Sequence, residues 1–142
     1  PHPRTNPKER PVSILVGYVP TPEGEAALAR GLEMAAALQQ DVVVVNSPRR
    51  GSTVDAEMVD DEARERILGA ARAAGGEATV EQPLHGSDIV DTFEGLVAST
   101  GASMVVIGLR RRSPVGKLVL GSDAQRLLLG LDVPVLAVKP TA

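Results

Sequence analysis

The sequence contains no cysteine and only two histidines, and both shortages narrow the chemistry available to the chain. Without a thiol it can form no disulfide, no thiolate metal site and no cysteine nucleophile. His2 and His85 lie far apart in the sequence and make no metal-ligand pattern. No Ser-His-Asp or Cys-His set is readable either. We therefore expect a protein that is not an enzyme, with no catalytic residue and no metal site.

Aromatic residues are almost absent as well, since the chain has one Tyr, one Phe and no Trp. Few stacking side chains and a net charge of -3 argue against nucleic acid as a partner. No apolar run approaches the roughly 20 residues that cross a bilayer, and no signal-peptide core is visible. These absences favour a cytoplasmic protein whose partners are neither nucleic acids nor membranes.

The sequence does contain a regular alternation of apolar runs and helical patterns. Residues 1–10 hold three prolines and no apolar periodicity, which indicates a flexible N-terminal arm, and residues 11–142 have the length of one domain. Apolar runs predict five strands, at 12–19, 41–46, 78–84, 104–107 and 135–138. Helical patterns between them predict four helices, beginning near Thr21, Val59, Ser87 and Ser122. This order predicts an α/β fold, a single-domain open parallel five-stranded sheet with helices on both faces. A ligand is expected where the strand order reverses, beyond the carboxyl ends of the strands.

A basic loop lies between the fourth strand and the fourth helix, over residues 108–122. It contains Arg110, Arg111, Arg112 and Lys117 and no acid, although the whole chain is acidic. Such a concentration of charge suggests an anionic partner. For Arg110 and Arg112, contact with phosphate and simple solvation are equally good interpretations, and contact with a partner subunit is a third. Ser122 and Gln125 predict an S-x-x-Q capping box, and the amides that open this helix could also bind an anion.

The spacing within this loop resembles a family motif. Gly108 is followed after two residues by Arg111, and after nine more by Gly121 and Ser122. This resembles G-x2-G-x9-G-[S/T], the motif of nucleotide-binding members of the universal stress protein family. The Thr-Pro-Glu helix start and the ending DVPVLAVKP are also typical of that family, and the likeness is to single-domain, actinobacterial-like members. The resemblance implies strand order 3-2-1-4-5 and an adenine nucleotide alpha hydrolase-like fold. It also implies a homodimer paired through the last strand.

The resemblance further implies a site for an adenine nucleotide, ATP, with Mg2+ as a companion of its phosphates. The site would lie between the first and fourth strands. Two groups of residues are the candidates: Tyr18, Val19 and Asn46 near the base, and Gly108, Arg111, Gly121, Ser122 and Asp123 near the ribose and phosphates.

Two positions depart from the family pattern. Arg111 replaces the second glycine of the motif, and Val19 stands where nucleotide-binding members usually have Asp. Arg111 could reach a phosphate bidentately, or its bulk could close the space that glycine leaves open. The chain is therefore either a nucleotide-binding stress-response regulator or a dimeric protein-interaction module with a degenerate site.

Overall fold

The computed structural model describes residues 12–46, 58–83, 88–111 and 118–140. The predicted arm at 1–10 lies outside these ranges. These ranges contain eleven elements: β1 (Ser13–Tyr18), α1 (Pro22–Leu38), β2 (Asp41–Asn46), α2 (Asp61–Ala73), β3 (Ala78–Glu81), α3 (Ile89–Thr100), β4 (Met104–Gly108), β5 (Arg110–Arg111), β6 (Leu118–Val119), α4 (Ser122–Gly130) and β7 (Val135–Val138).

Five of the strands form one sheet in the order β3-β2-β1-β4-β7, and every neighbouring pair is parallel. This is the order 3-2-1-4-5 that the family resemblance implies, and it is confirmed. The chain moves outward from β1 through β2 to β3, then returns to place β4 on the other side of β1. The carboxyl ends of β1 and β4, which we call the switch point, are therefore the place where a ligand is expected in such a sheet.

Both faces of the sheet are covered by helices, which explains why the strands are continuous apolar runs. On one face, Ile14, Val16 and Val44 are buried with Ala27 of α1 and Ile67 of α2. On the other face, a second cluster includes Leu15, Val45 and Val105 of the strands, Phe93 of α3 and Leu127 of α4. Because successive strand residues point to opposite faces, each β-branched run supplies both clusters. The core is thus mainly aliphatic, and Tyr18 and Phe93 are its largest fully buried side chains.

The start of α1 follows the predicted rules for a helix terminus. Thr21 is the N-cap and its side chain accepts a hydrogen bond from the Gly24 amide at 3.2 Å, while Pro22 occupies the first helical position. Gly24 is needed there, since a Cβ on it would lie 1.8 Å from the Val19 carbonyl oxygen. The first turn of α1 is consequently pressed against the carboxyl end of β1.

Two predicted helix caps were wrong. The N-cap of α3 is Asp88, not Ser87, and its carboxylate accepts hydrogen bonds from the Val90 and Asp91 amides. The N-cap of α4 is Gly121, whose φ of -63° and ψ of 163° are extended, so Ser122 is already helical and forms no capping box. The Gln125 side chain instead donates to the Leu120 carbonyl at 3.0 Å. In both helices the N-cap is the residue next to the predicted serine: Asp88 follows Ser87, and Gly121 precedes Ser122.

Other differences concern short segments. The basic loop begins and ends as a small antiparallel hairpin, in which Arg110 pairs with Val119 and Arg111 with Leu118. The sequence did not predict this hairpin, since strands of two residues carry no readable periodicity. The third strand ends at Glu81, earlier than predicted, and it lies at one edge of the sheet, the position in which polar residues and a nearby Pro83 are tolerated. Within the described ranges, no helix is both long and apolar enough to cross a membrane.

Candidate functional site

The first candidate, Tyr18, ends β1 at the switch point, but its side chain is directed into the protein. The residue is 1% exposed. Its hydroxyl donates to the Glu25 carboxylate of α1 at 2.5 Å and accepts from the Arg66 guanidinium of α2 at 3.0 Å. Arg66 also bonds Glu25 at 3.0 Å. Burial, with the Glu25 hydrogen bond, raises the pKa of Tyr18 to about 12, so the phenol stays a neutral donor at physiological pH. The side chain therefore links β1 to both helices on its face.

Asn46 ends β2, next to Tyr18 in the parallel register. It is 1% exposed and its amide joins three segments. The Asn46 Nδ2 donates to the Tyr18 carbonyl at 3.1 Å, and Oδ1 accepts from the Val59 amide at 2.8 Å and from the Gln82 side chain at 3.2 Å. Gln82 also donates to the Val59 carbonyl at 2.9 Å. The amide thus fixes the approach to α2 against the ends of β1 and β3.

Val19 follows β1 and occupies the position where a carboxylate was expected in nucleotide-binding relatives. Its side chain is nearly buried, at 9% exposed. Its carbonyl accepts a hydrogen bond from the Thr21 amide at 2.8 Å, which forms the turn into α1. The residue therefore presents hydrocarbon, and its carbonyl is already used by the local turn.

Gly108 ends β4, where the motif places the ribose. A Cβ built on this residue would lie 2.2 Å from the Glu23 carbonyl oxygen and 3.0 Å from the Glu23 Cβ. Glu23 belongs to the first turn of α1. The missing side chain is thus required by the close approach of α1 to β4, whether or not a ligand is present.

Gly121, the N-cap of α4, differs from Gly108 because a side chain there would not clash with backbone. Among the residues that the structure describes, a Cβ on Gly121 would meet only the Arg110 guanidinium, with Nη2 3.8 Å away. Glycine has no side chain to cap a helix, so Gly121 leaves the amides of Asp123 and Ala124 without the side-chain acceptor that an N-cap residue usually supplies. The structure therefore brings together a basic side chain and the positive end of a helix.

Asp123 lies in the first turn of α4 and its charge acts on Arg126. The pKa of Arg126 is raised chiefly by its hydrogen bond to Asp88, and Asp123 adds to that effect. Arg111 forms part of β5. The predicted phosphate contact of its side chain lies outside what the structure describes.

The candidate residues thus separate into two groups. Tyr18, Val19 and Asn46 meet at the ends of β1 and β2, whereas Gly121, Ser122 and Asp123 open α4. The sequence did not favour Arg110 over its basic neighbours as a phosphate contact. The pairing of β5 with β6 is what places the Arg110 guanidinium near Gly121. It also missed the partners of the first group, Glu25, Arg66 and Gln82. Arg66 is 41 residues from Glu25, and no local pattern signals such a pair.

Comparison with known proteins adds the family. The model of the universal stress protein family matches residues 13–139. A universal stress protein from Mycolicibacterium smegmatis is 39% identical over 127 residues, which cover 89% of this chain and 97% of that relative. A universal stress protein from Archaeoglobus fulgidus in complex with dAMP has a TM-score of 0.64 at 21% identity, over 90% of this chain and 97% of that one. Another universal stress protein, in complex with cAMP, has a TM-score of 0.66 at 18% identity, over 94% of this chain and 100% of that one.

Proposed function

Because this chain belongs to the universal stress protein family, we propose that it is a stress-response regulator that binds an adenine nucleotide, ATP, at the switch point. The phosphates would lie against the amides of Ser122 and Asp123 and beside the Arg110 guanidinium. Proteins of the same fold bind dAMP and cAMP, which supports a nucleotide as the ligand class. Within the described ranges no group of three or more His, Asp or Glu side chains could hold a metal ion. Any Mg2+ would accompany the phosphates of ATP.

One observation carries this proposal: the Arg110 guanidinium lies 3.8 Å from the Cβ position of Gly121, the N-cap of α4. A cation beside the positive end of a helix is electrostatically unfavourable. A phosphate between the two positive groups would be attracted to each of them, since it accepts hydrogen bonds from the amides and pairs with the guanidinium. The glycine leaves the room for it.

Calorimetric titration of the full chain with ATP and with AMP, with and without Mg2+, tests the proposal. Gly121→Asp is the informative variant, because an aspartate N-cap suits the extended backbone and places a carboxylate where the phosphate would bind. We expect at least about tenfold weaker ATP binding, roughly 1.4 kcal/mol, with unchanged or slightly higher thermal stability. Gly95→Asp is the matched control: it adds the same charge at an exposed position of α3 where a Cβ meets nothing within 4 Å.

Two results would contradict the proposal. One is the absence of binding heat for the folded wild-type chain, and the other is equal ATP affinity in Gly121→Asp and Gly95→Asp. Phosphate release is measured in the same samples, because we propose binding without hydrolysis. ATP that is turned over above background would overturn that part alone.

The alternative function, a dimeric interaction module without nucleotide, is favoured by a different observation. The polar side chains of Tyr18 and Asn46 are engaged inside the protein, and Gly108 is explained by its packing on Glu23. The identities of these three residues are therefore explained by packing and internal hydrogen bonds, without a bound nucleotide. Absence of binding heat would select this alternative.

For both functions we propose a homodimer formed through β7. In the part of the chain that the structure describes, β7 pairs only with β4 and so forms an edge of the sheet. Unpaired edges are templates for a strand from another chain. The cytoplasm stays the compartment that the composition predicts.

A further inference from the structure

We propose that the nucleotide is recognised through its phosphates and that Tyr18, Val19 and Asn46 do not read its base, so that adenine and guanine nucleotides bind alike. This inference rests on the proposed function, because it concerns the same switch point. It goes beyond that function by assigning the ligand class: nucleoside polyphosphates without base selection.

Selection between bases requires hydrogen-bonding groups that face the ligand. Adenine presents an amino donor and a ring acceptor where guanine presents a carbonyl acceptor and a ring donor. A site that hydrogen-bonds one pattern rejects the other strongly, since a mismatched base leaves buried polar groups unpaired. An apolar surface discriminates far less, by roughly a hundredfold at most. Among the described residues, those at the ends of β1 and β2 are Tyr18, Val19 and Asn46, and their polar groups are the ones that a base could meet there.

Asn46 is the side chain best suited to read a base, and its hydrogen bonds are committed elsewhere. Its Oδ1 already accepts two hydrogen bonds, from Val59 and Gln82, which is the full capacity of an amide oxygen. Its Nδ2 donates to the Tyr18 carbonyl. With 1% of the residue exposed, a base could reach the amide only if these contacts broke.

Tyr18 and Val19 lead to the same result. The Tyr18 hydroxyl is engaged by Glu25 and Arg66, and the Tyr18 carbonyl accepts a hydrogen bond from Asn46. The Val19 carbonyl accepts from Thr21 and is packed against Gly24, where a Cβ would lie 1.8 Å from its oxygen, and the Val19 side chain is hydrocarbon. Asn46 and Tyr18 are accordingly positioning residues, which fix the wall of the switch point without contacting the base.

The positive groups lie at the other side of the switch point, where Arg110 meets the N-terminus of α4. Phosphates are common to all nucleotides, and neither a guanidinium nor a backbone amide distinguishes one base from another. Affinity is therefore expected to follow the phosphates.

Titration of the wild-type chain with ATP, GTP, inorganic tripolyphosphate and adenosine tests this inference. We expect the dissociation constants of ATP and GTP to agree within about threefold, measurable binding of tripolyphosphate, and no binding of adenosine at the same concentrations. Gly121→Asp should weaken ATP and GTP by the same factor. Asn46→Asp, once its fold is checked by circular dichroism, should also change both affinities by one common factor; if it does not fold, the wild-type ratio decides.

The outcomes separate this inference from the proposed function. A preference for ATP over GTP of more than about a hundredfold exceeds what an apolar surface gives, so it overturns the inference and leaves nucleotide binding intact. A changed ATP-to-GTP ratio in Asn46→Asp places that amide against the base, with the same consequence. If no nucleotide and no tripolyphosphate binds, both proposals fail. If tripolyphosphate alone binds, the anion site stands, while nucleotide binding and this inference fail.

Discussion

At the residue scale, the two glycines Gly108 and Gly121 occupy the same family motif for different physical reasons. Gly108 is required because the backbone of Glu23 approaches it, so any side chain there must displace α1. Gly121 has open space and an ordinary φ of -63°, so a side chain there is tolerated by the fold. A motif glycine can thus serve packing or serve the ligand, and sequence spacing alone does not distinguish the two.

Alanine at each position measures this difference. We expect Gly108→Ala to lower the free energy of unfolding by about 3 kcal/mol, because its Cβ meets backbone rather than a side chain that can move. Gly121→Ala, the matched control, should change it by no more than about 0.5 kcal/mol. Urea unfolding followed by circular dichroism gives both values. Equal stability of the two variants would show that α1 yields to the new methyl group.

At the element scale, Asp88 joins the start of α3 to α4. Its carboxylate caps α3 through the Val90 and Asp91 amides and forms an ion pair with Arg126 of α4. The Arg126 hydrogen bond first, and the Asp91 amide second, hold the pKa of Asp88 below its usual value. Gly130 of α4 also packs near Val90, where a Cβ would lie 3.0 Å from Cγ1. These contacts hold α4 against α3.

The lowered pKa of Asp88 predicts a pH dependence of stability. Because the folded-state pKa is below the unfolded value of about 3.9, the stabilisation is present above that value and disappears as the pH falls through the folded pKa. Asp88→Asn retains a good N-cap but removes the charge. We expect a lower melting temperature than wild type at pH 7, and a difference that shrinks as the pH falls below about 4.

The control for this prediction is Asp60→Asn at the N-cap of α2. Asp60 accepts a hydrogen bond from the Ala63 amide at 2.8 Å, so the substitution removes a charge from a comparable helix start. Its loss of melting temperature at pH 7 should be smaller than that of Asp88→Asn, which also loses the Arg126 pair. Equal losses in the two variants would mean that the ion pair between α3 and α4 contributes nothing beyond the helix dipole.

Elements with a strong local pattern could be predicted from the sequence, and those that depend on distant partners could not. The apolar runs located all five strands of the main sheet, and Thr21 with Pro22 located the start of α1, because burial on both faces and helix capping leave local signals. The strand order came only with the family resemblance. The Asn46 contacts with Val59 and Gln82 span 13 and 36 residues, and no periodicity encodes them. For the same reason the sequence could name candidate site residues but could not indicate which of their polar groups are already engaged.

At the scale of the whole molecule, the sheet has two edges, β3 and β7, and the backbone pairing shows which amides they leave open. The Val105 amide donates to the Pro134 carbonyl and the Leu109 amide to the Val138 carbonyl, so alternate residues of β7 face β4. Ala137 lies between them in this alternation, and its amide faces the open edge. On β3, the Glu77 carbonyl accepts from the Val42 amide, and by the same alternation the Ala78 amide faces outward.

Proline at these two alanines compares the edges directly. If the homodimer forms through β7, Ala137→Pro removes an outward donor and should raise the dimer dissociation constant at least about tenfold, while the pairing with β4 is kept. Ala78→Pro makes the same change at the β3 edge and should leave dimerisation as in wild type. Sedimentation velocity over a concentration series measures both, and circular dichroism checks the fold. Pairing through β7 would be refuted if Ala78→Pro dissociated the dimer instead, because only the strand at the interface responds to the loss of its outward amide. It would also be refuted if the wild-type chain were monomeric at high concentration.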